Sequence, residues 1–266
     1  MIQELINFEK YPIDQPDSEQ YKLLMSECQE RLVANNLINM EGFLTYAGTA
    51  ELLAEIDNKT SQTFHCVNHS RPDFTAAYEA KNGKQLANYL GTTDRYALAR
   101  HQLLGSKLDE LYQYEPLRNF VRDLLALDKI YLHEDPSNAL VVQLYKTGGG
   151  IAWHFDQALF STILNLCETE QGGTFECVPD LRTADDPCFD EVRDVLLNKS
   201  DRVEQYHAKA GSFTIMLGRY TMHRVTEVLG ETPRVSVVLS YEDKPGIKLD
   251  LATRKRFFGP TVADNP

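Results

Sequence analysis

The sequence contains two His-x-Asp pairs, and each pair could supply two ligands to one metal ion. His133 and Asp135 are followed directly by the turn sequence PSN, whereas His154 and Asp156 lie between a triple-glycine segment and the apolar run FSTILNL. Residues i and i+2 of a β-strand point to the same face, so either pair could place an imidazole and a carboxylate beside one metal. The spacing by itself does not choose between the two pairs.

A third metal ligand and an anion-binding pair are predicted in the last β-rich runs. His223 lies in the run YTMHRVTEV, and Arg234 and Ser236 lie in the run PRVSVVLSY. Alternation along a strand places Arg234 and Ser236 on one face, where a guanidinium and a hydroxyl are well matched to a carboxylate. Two histidines and one carboxylate leave three positions on a metal open, which is typical of non-haem Fe(II) oxygenases.

The other histidines have simpler explanations. His65 and His69 have the i, i+4 spacing of a helical metal pair, but they lie in a polar stretch that is typical of a solvated loop. His101 lies in a helical stretch and His207 at the end of a strand. We expect these four to be structural or solvent-exposed.

The elements that must position the candidate ligands fall into two parts. Up to residue 128 the apolar pattern predicts mainly helices, with Ser18 and Thr49 as caps and a proline in the first turn of the third helix. The predicted elements are helices over 18–35, 50–56 and 116–127 and a strand over 39–46.

After Asp128 the sequence pattern changes to short β-rich runs separated by Gly, Pro and polar turns. These runs are KIYL, NALVVQLY, FSTILNL, GTFECV, GSFTIML, MHRVTEV and RVSVVLSY. Their spacing predicts an antiparallel sandwich or jelly roll rather than a βαβ sheet. We therefore predict one domain over 1–266, with a helical support at 1–128, a jelly-roll core at about 140–245 and a C-terminal flap at 246–266.

Composition limits the partners and the location. The chain has 266 residues and a net charge of −12, which disfavours both nucleic acid and anionic membrane surfaces as partners. Five cysteines without a C-x-x-C pair indicate free thiols in a reducing compartment. The N-terminus has no signal-peptide pattern, and no apolar run approaches the ~18 residues that span a membrane. We predict a cytoplasmic protein and assign no oligomeric state.

The pattern His154-x-Asp156, His223 and Arg234-x-Ser236 resembles that of the Fe(II)/2-oxoglutarate-dependent dioxygenases. The predicted jelly-roll core matches the double-stranded β-helix of that superfamily in motif and order. More narrowly, the runs WHFD, GGTFECVPDLR, AGSFTIMLGRYTMHRVTEV and PRVSVVLSYEDKPG, with the upstream helix YEPLRNFVRDLL, are similar to a bacterial group of free-amino-acid hydroxylases and halogenases. The resemblance implies an α+β chain with a cupin-like jelly-roll core and an N-terminal helical buttress.

The resemblance also implies a role for each matching residue. The Fe(II) ligands would be His154, Asp156 and His223, and O2 would take an open position on the metal. Arg234 would pair with the distal carboxylate of 2-oxoglutarate, and Ser236 would add a hydrogen bond. Tyr145 stands where related enzymes often place a second hydroxyl on that carboxylate, although a buried core tyrosine explains it equally well.

One residue separates the two branches of this group. The halogenases have Gly or Ala at the carboxylate-ligand position, which opens a site for chloride, whereas this sequence has Asp156. The resemblance therefore implies a hydroxylase that couples C–H hydroxylation to oxidative decarboxylation of 2-oxoglutarate to succinate and CO2. The expected substrate is a small polar metabolite, above all a free amino acid. The alternatives are an oxygenase acting on a protein side chain or another macromolecule, and a non-catalytic jelly-roll binding protein.

Substrate contacts are predicted by position only, and each has a structural alternative as a surface polar residue or a core aromatic. The candidates are Gln157 after the ligand carboxylate, Trp153 beside His154, Arg71 as a partner for a substrate carboxylate, and Phe258, with Phe257, as a cover over the site. Glycines 148–150 form either a mobile lid or a tight turn.

Overall fold

Two antiparallel sheets and a set of flanking helices form the architecture in the computed structural model, which describes residues 2–71, 75–82, 86 and 89–260. The strands are β1 (Leu37–Met40), β2 (Phe64–Ser70), β3 (Gly91–Ala99), β4 (Tyr131–Leu132), β5 (Leu140–Tyr145), β6 (Ile151–His154), β7 (Ser161–Cys167), β8 (Phe175–Val178), β9 (Glu204–Tyr206), β10 (Ser212–Met216), β11 (Met222–Val225), β12 (Arg234–Leu239) and β13 (Tyr241–Glu242). The larger sheet has the order β1-β10-β7-β12-β5-β3-β2, and the smaller sheet has the order β6-β11-β8-β9. A short ribbon pairs β13 with β4. This topology confirms the predicted α+β chain with a jelly-roll core.

The helices lie mainly before the jelly roll. They are α1 (Ile2–Leu5), α2 (Glu19–Asn35), α3 (Tyr46–Asp57), α4 (Thr75–Asn82), α5 (Arg100–Leu103), α6 (Lys107–Gln113), α7 (Glu115–Leu124), α8 (Phe189–Leu196) and α9 (Leu251–Phe258), with a 3₁₀ turn at Thr60–Gln62. Ser18 caps α2 as predicted, because its side chain accepts a hydrogen bond from the Tyr21 N–H. The cap of α3 is Thr45 rather than Thr49, so that helix begins one turn earlier than predicted. Among the described residues, no helix is both long and apolar enough to cross a bilayer.

The larger sheet has one apolar face and one polar face because its strands alternate. Val235 and Val237 of β12 and Leu164 of β7 belong to the main core, together with apolar residues of α2, α3 and α7. Arg234, Ser236 and Asn165 point to the other face, towards the smaller sheet, and all three are buried. The helices therefore support the sheet from behind and leave its polar face for the interior of the jelly roll.

The N-terminal part contributes more β-structure than the sequence predicts. β1 extends the larger sheet at one edge by pairing with β10, and β2 and β3 extend it at the other edge through the β3–β5 pair. The stretch that contains His65 and His69, expected to be a loop, is the edge strand β2. Such strands are stabilised by distant pairing partners, which a local pattern does not display.

Candidate metal centre

His154, Asp156 and His223 converge where β6 and β11 pair in the smaller sheet. His223 lies directly opposite His154 in the β6–β11 register, and the two ring centroids are 4.1 Å apart. Asp156 Oδ1 lies 3.5 Å from His154 Nε2 and 3.6 Å from His223 Nε2. The three ligand atoms all lie within 4.8 Å of one another. The cross-strand pair therefore supplies two ligands, and the residue two positions after His154 supplies the third.

Backbone carbonyls set the orientation of both imidazoles. His154 Nδ1 lies 2.8 Å from the carbonyl oxygen of Ala152, and His223 Nδ1 lies 2.9 Å from that of Thr221. Because a carbonyl can only accept a hydrogen bond, each Nδ1 must carry the proton. In the neutral rings each Nε2 then carries a free lone pair directed at the point where the three side chains meet, as in metal-binding histidines.

The Asp156 carboxylate is held by its neighbours in the same way. The Ser161 hydroxyl donates to Oδ2 over 2.6 Å, and the Asp156 N–H donates to the Gly218 carbonyl over 3.0 Å. A Cβ atom built on Gly218 would lie 2.2 Å from Oδ2, so a larger residue there would displace the carboxylate. Gly218 thus leaves the space that Asp156 fills, and Oδ1 faces the two histidines.

The charges of the three groups suit metal binding. Burial alone would raise the pKa of Asp156, but His223, His154 and the Ser161 hydroxyl together hold it well below its usual range. Burial, followed by the neighbouring His154, lowers the pKa of His223 to about 4. Near neutral pH the centre therefore offers an ionised carboxylate beside a neutral imidazole at His223, the forms in which these side chains bind metals. Two imidazole nitrogens and one carboxylate oxygen fit Fe(II) with open positions.

The predicted anion-binding residues lie together on the polar face of the larger sheet. Arg234 is 6% exposed and lies opposite Tyr145 in the β12–β5 register, and Ser236 lies two pairs further along, opposite Gln143. The Tyr145 hydroxyl donates to Gln143 Oε1. Tyr145 belongs to the same buried apolar cluster as Phe175, whose ring centroid is 5.7 Å from that of His223. The anion-binding residues and the metal centre therefore line one interior.

Arg95 is a further charged residue of this interior, and the sequence analysis missed it. It lies on β3, one residue before the Tyr96–Leu144 pair, and therefore beside Tyr145. Arg95, Tyr145 and Arg234 thus form a row across the neighbouring strands β3, β5 and β12. Arg95 is 6% exposed, and its Nε and Nη1 atoms have no hydrogen-bond partner among the described residues. A buried guanidinium with unused donors is the expected mark of an anion site. The detectable signal was an arginine at the start of the apolar run YALA.

Two of the predicted substrate residues lie away from the metal centre. Trp153 is buried in the outer cluster of the smaller sheet, because the residue before His154 must point to the opposite face of β6. The Arg224 guanidinium stacks on its ring, 4.7 Å from the ring centroid. Arg71 pairs with Glu79 at 2.5 Å and donates to the Leu86 carbonyl over 2.9 Å. These contacts do not place either side chain at the metal centre, and a substrate contact of Trp153 or Arg71 stays a prediction.

The other two candidates are Gln157 and Phe258. Gln157 is exposed directly after Asp156, and its backbone carbonyl accepts from Arg219 Nη2 over 2.6 Å. Phe258 belongs to a buried apolar cluster with Ala97, on the polar face of the larger sheet. The ring centroid of its neighbour Phe257 lies 5.8 Å from the Arg95 guanidinium. The C-terminal helix α9 therefore covers the β2–β3 end of the interior.

Glycines 148–150 form a tight turn rather than a lid. Gly150 exchanges two backbone hydrogen bonds with Asp94, and Gly148 and Gly149 are each bonded to Val228. A Cβ atom on Gly149 would lie 2.9 Å from the Asp94 carbonyl oxygen, and one on Gly150 would lie 2.9 Å from the Val225 carbonyl oxygen. The glycines therefore allow β3, β6 and β11 to approach one another closely.

The remaining histidines take structural positions. His65 lies 2.7 Å from Asp94 Oδ1 and stacks on Tyr96, and His69 lies 3.0 Å from Thr92 Oγ1, all on the exposed β2–β3 pair. His133 and Asp135 are buried beside the β4–β13 ribbon, away from β6 and β11.

Comparison with known proteins identifies both a family and a fold. The model of the halogenase D family matches residues 97–256. No curated protein sequence matches the chain. Among solved structures, the chain is similar to the non-heme alpha-ketoglutarate-dependent epimerase SnoN from nogalamycin biosynthesis, with 18% identity, a TM-score of 0.61, and coverage of 86% of this chain and 90% of that one.

Two further solved structures show the same fold. AviO1 from Streptomyces viridochromogenes matches with 14% identity, a TM-score of 0.56, and coverage of 85% of this chain and 98% of that chain. HygX from Streptomyces hygroscopicus, solved with nickel, 2-oxoglutarate and hygromycin B, matches with 11% identity, a TM-score of 0.57, and coverage of 81% and 86%. At these identities the likeness is one of fold.

Proposed function

This chain belongs to the halogenase D family, and on that premise we propose that it is an Fe(II)/2-oxoglutarate-dependent hydroxylase of a small polar molecule, with free amino acids as the substrate class. Membership of the Fe(II)/2-oxoglutarate oxygenase superfamily makes the chain an enzyme, so the non-catalytic alternative is set aside. Fe(II), 2-oxoglutarate and O2 together supply the oxidant that converts a C–H bond to C–OH, with succinate and CO2 as the products of the cosubstrate.

The position of Asp156 supports hydroxylation rather than halogenation. Its carboxylate is held at the centre by the 2.6 Å hydrogen bond from Ser161, and Gly218 leaves the room it needs. A halogenase needs this position for chloride, whereas here the protein itself supplies the ligand. This single observation carries the choice of reaction.

The residues around the centre divide the remaining tasks. We assign metal binding to His154, Asp156 and His223 and cosubstrate binding to Arg234, Ser236 and Tyr145. Arg234 would form a charge-assisted pair with the distal carboxylate of 2-oxoglutarate, and burial excludes the water that would compete for it. Removal of such a buried pair costs about 2–4 kcal/mol, so we expect 2-oxoglutarate affinity to depend strongly on Arg234.

The buried Arg95 supports an anionic substrate group. Its unused nitrogens lie in the same interior as the metal centre, and Phe257 of α9 lies beside it. A substrate carboxylate, such as that of a free amino acid, would accept hydrogen bonds from these nitrogens. SnoN and HygX were each solved with a small molecule, nogalamycin RO and hygromycin B, which agrees with a small-molecule substrate. The cytoplasm remains the predicted location.

A product screen tests this proposal. The purified enzyme, loaded with Fe(II), is incubated with 2-oxoglutarate and pools of amino acids, peptides or nucleic acids in chloride buffer. We expect amino acids to stimulate succinate formation and one of them to gain a single oxygen atom, while His154→Ala gives neither. A chlorinated product from the native enzyme would overturn the reaction, and stimulation by the peptide or nucleic-acid pool alone would overturn the substrate class.

A further inference from the structure

Asn165 of β7 is the hydrogen-bond partner of the Arg234 side chain. Arg234 Nη2 donates to Asn165 Oδ1 over 2.9 Å, while Arg234 Nε has no partner among the described residues. Asn165 is 2% exposed and lies opposite Ser236 in the β12–β7 register. The guanidinium is therefore fixed from the side by one amide oxygen.

The amide belongs to a polar chain that runs across the sheet. Asn165 Nδ2 donates to Ser212 Oγ over 3.3 Å, and Thr214 Oγ1 donates to Asn39 Oδ1 over 3.0 Å on the edge strand β1. Thr214 Oγ1 also lies 3.5 Å from Asn165 Nδ2. Because a guanidinium only donates, the oxygen of Asn165 must face Arg234, and its nitrogen must face the β10 hydroxyls. The amide orientation is thus determined at both ends.

A cavity lies beside this contact. It has a volume of about 20 Å³, and Arg234, Asn165, Ile163, Thr214 and Asn39 are among its lining residues. A space of this size holds about one water molecule. A long, flexible arginine next to such a space could withdraw from the interior if Asn165 did not hold it.

We propose that Asn165 is a positioning residue that sets how far Arg234 reaches into the interior, and thereby the chain length of the 2-oxo acid that the enzyme accepts. The inference rests on the proposed function, because it assumes that Arg234 pairs with the distal carboxylate. In the native enzyme Arg234 is held at the depth that suits a five-carbon diacid. When the Asn165 side chain is removed, the guanidinium shifts into the space that the amide vacates and the adjoining cavity, which disfavours 2-oxoglutarate and makes room for the six-carbon 2-oxoadipate.

Binding of the two acids can be measured without knowing the substrate. The Fe(II)-loaded protein is titrated under anaerobic conditions with 2-oxoglutarate or 2-oxoadipate, and the visible charge-transfer absorption of the Fe(II)–2-oxo acid chelate gives each Kd. The test variant is Asn165→Ala, with Asn165→Ser as a second variant should the first fail to fold. The matched control is Ile163→Val, which enlarges the same cavity by one methylene and keeps the hydrogen bond.

We expect Asn165→Ala to weaken 2-oxoglutarate binding by about 10-fold, the value of one hydrogen bond to a charged group. Binding of 2-oxoadipate should weaken less or improve, so the ratio of the two Kd values shifts towards the longer acid. Ile163→Val should keep the native ratio. An unchanged Kd for 2-oxoglutarate, an equal loss for both acids, or the same shift in Ile163→Val would overturn the inference. Failure of the native protein to bind 2-oxoglutarate would instead overturn the proposed function.

Discussion

The two His-x-Asp segments have the same sequence pattern and opposite structural roles. His154 and Asp156 meet His223 at a point where three ligand atoms converge. His133 and Asp135 are more deeply buried than His154 and Asp156, and they hold the β4–β13 ribbon and the C-terminal segment in place. The two pairs differ in which imidazole nitrogen and which carboxylate oxygen remain without a hydrogen-bond partner among the described residues.

The backbone partner of Nδ1 differs between the two histidines. At His154 that partner is a carbonyl, so Nδ1 carries the proton and Nε2 is the atom that the neutral ring leaves free. At His133 the partner is the N–H of Asp135, 3.0 Å away, so Nδ1 accepts and the proton of the neutral ring must be on Nε2. Burial lowers the pKa of His133 and keeps that ring neutral. His133 therefore has no free lone pair to offer a metal.

The two carboxylates differ in the same way. Asp156 uses Oδ2 for Ser161 and leaves Oδ1 facing the histidines. Asp135 accepts from the Ser137 N–H at Oδ1 over 2.9 Å and from the Leu249 N–H at Oδ2 over 3.0 Å. A His-x-Asp pair thus becomes a metal site only where the surrounding chain leaves one atom of each side chain free.

Removal of a histidine from each region should give the largest contrast. We expect His223→Ala to weaken Fe(II) binding by more than about 100-fold and abolish turnover, because even the residues that orient metal ligands are typically worth 10–100-fold. His133→Ala should keep the iron. Iron content after reconstitution and succinate formation measure both effects. Retention of a full equivalent of iron by His223→Ala would remove it from the ligand set.

Gly218→Ala should affect the metal centre through volume alone. Its Cβ would lie 2.2 Å from Asp156 Oδ2, so the carboxylate must move away. We expect Fe(II) affinity to fall by about 10–100-fold while the melting temperature changes little. Ser161→Ala, which removes the hydrogen bond without adding volume, should cost less. Native iron affinity in Gly218→Ala would show that the carboxylate position is not fixed by this contact.

Asp135→Ala should show the reverse pattern, with stability lost and iron retained. Asp135 is 1% exposed, accepts two backbone N–H groups and lies 3.6 Å from Arg254 Nε. Loss of the carboxylate leaves these donors unpaired, so the free energy of unfolding should fall by about 2–4 kcal/mol. Denaturant unfolding measures it, with the exposed Glu134→Gln as the control. A loss of iron without a loss of stability would reverse the two roles.

The β4–β13 ribbon should also show a pH dependence through Glu242, which lies 3.6 Å from His133. Burial, followed by the charge of Asp243, raises the pKa of Glu242 from 4.5 to about 7. The unfolded chain ionises first, so stability should fall by about 1–3 kcal/mol as the pH rises from about 5 to 8. Glu242→Gln should flatten this part of the profile. An identical pH profile of unfolding in the variant would contradict the assignment.

Much of the site follows from local spacing. Strand alternation places His154 with Asp156, and Arg234 with Ser236, and the structure has both pairs on common faces. The same rule sends Trp153 to the face of β6 opposite His154, where it packs in a buried apolar cluster. The cap of α2 at Ser18 was equally local, because it needs only the next turn of the chain.

Other features depend on residues far apart in the chain. β2 and β3 were missed because their pairing partners, not their own composition, stabilise them. Arg95 reaches the interior only because β3 pairs with β5, and Asn165 meets Arg234 only because β7 lies beside β12. Local periodicity contains no trace of these neighbours.

The sequence by itself determined which side chains could bind iron and a diacid, since residue chemistry and strand alternation are local properties. Only the tertiary structure decided which His-x-Asp pair does so. That choice depends on whether Nδ1 meets a carbonyl or an N–H, and on whether a third ligand returns across the sheet. Both conditions depend on backbone positions, and these are fixed by pairing between distant strands and by tight turns.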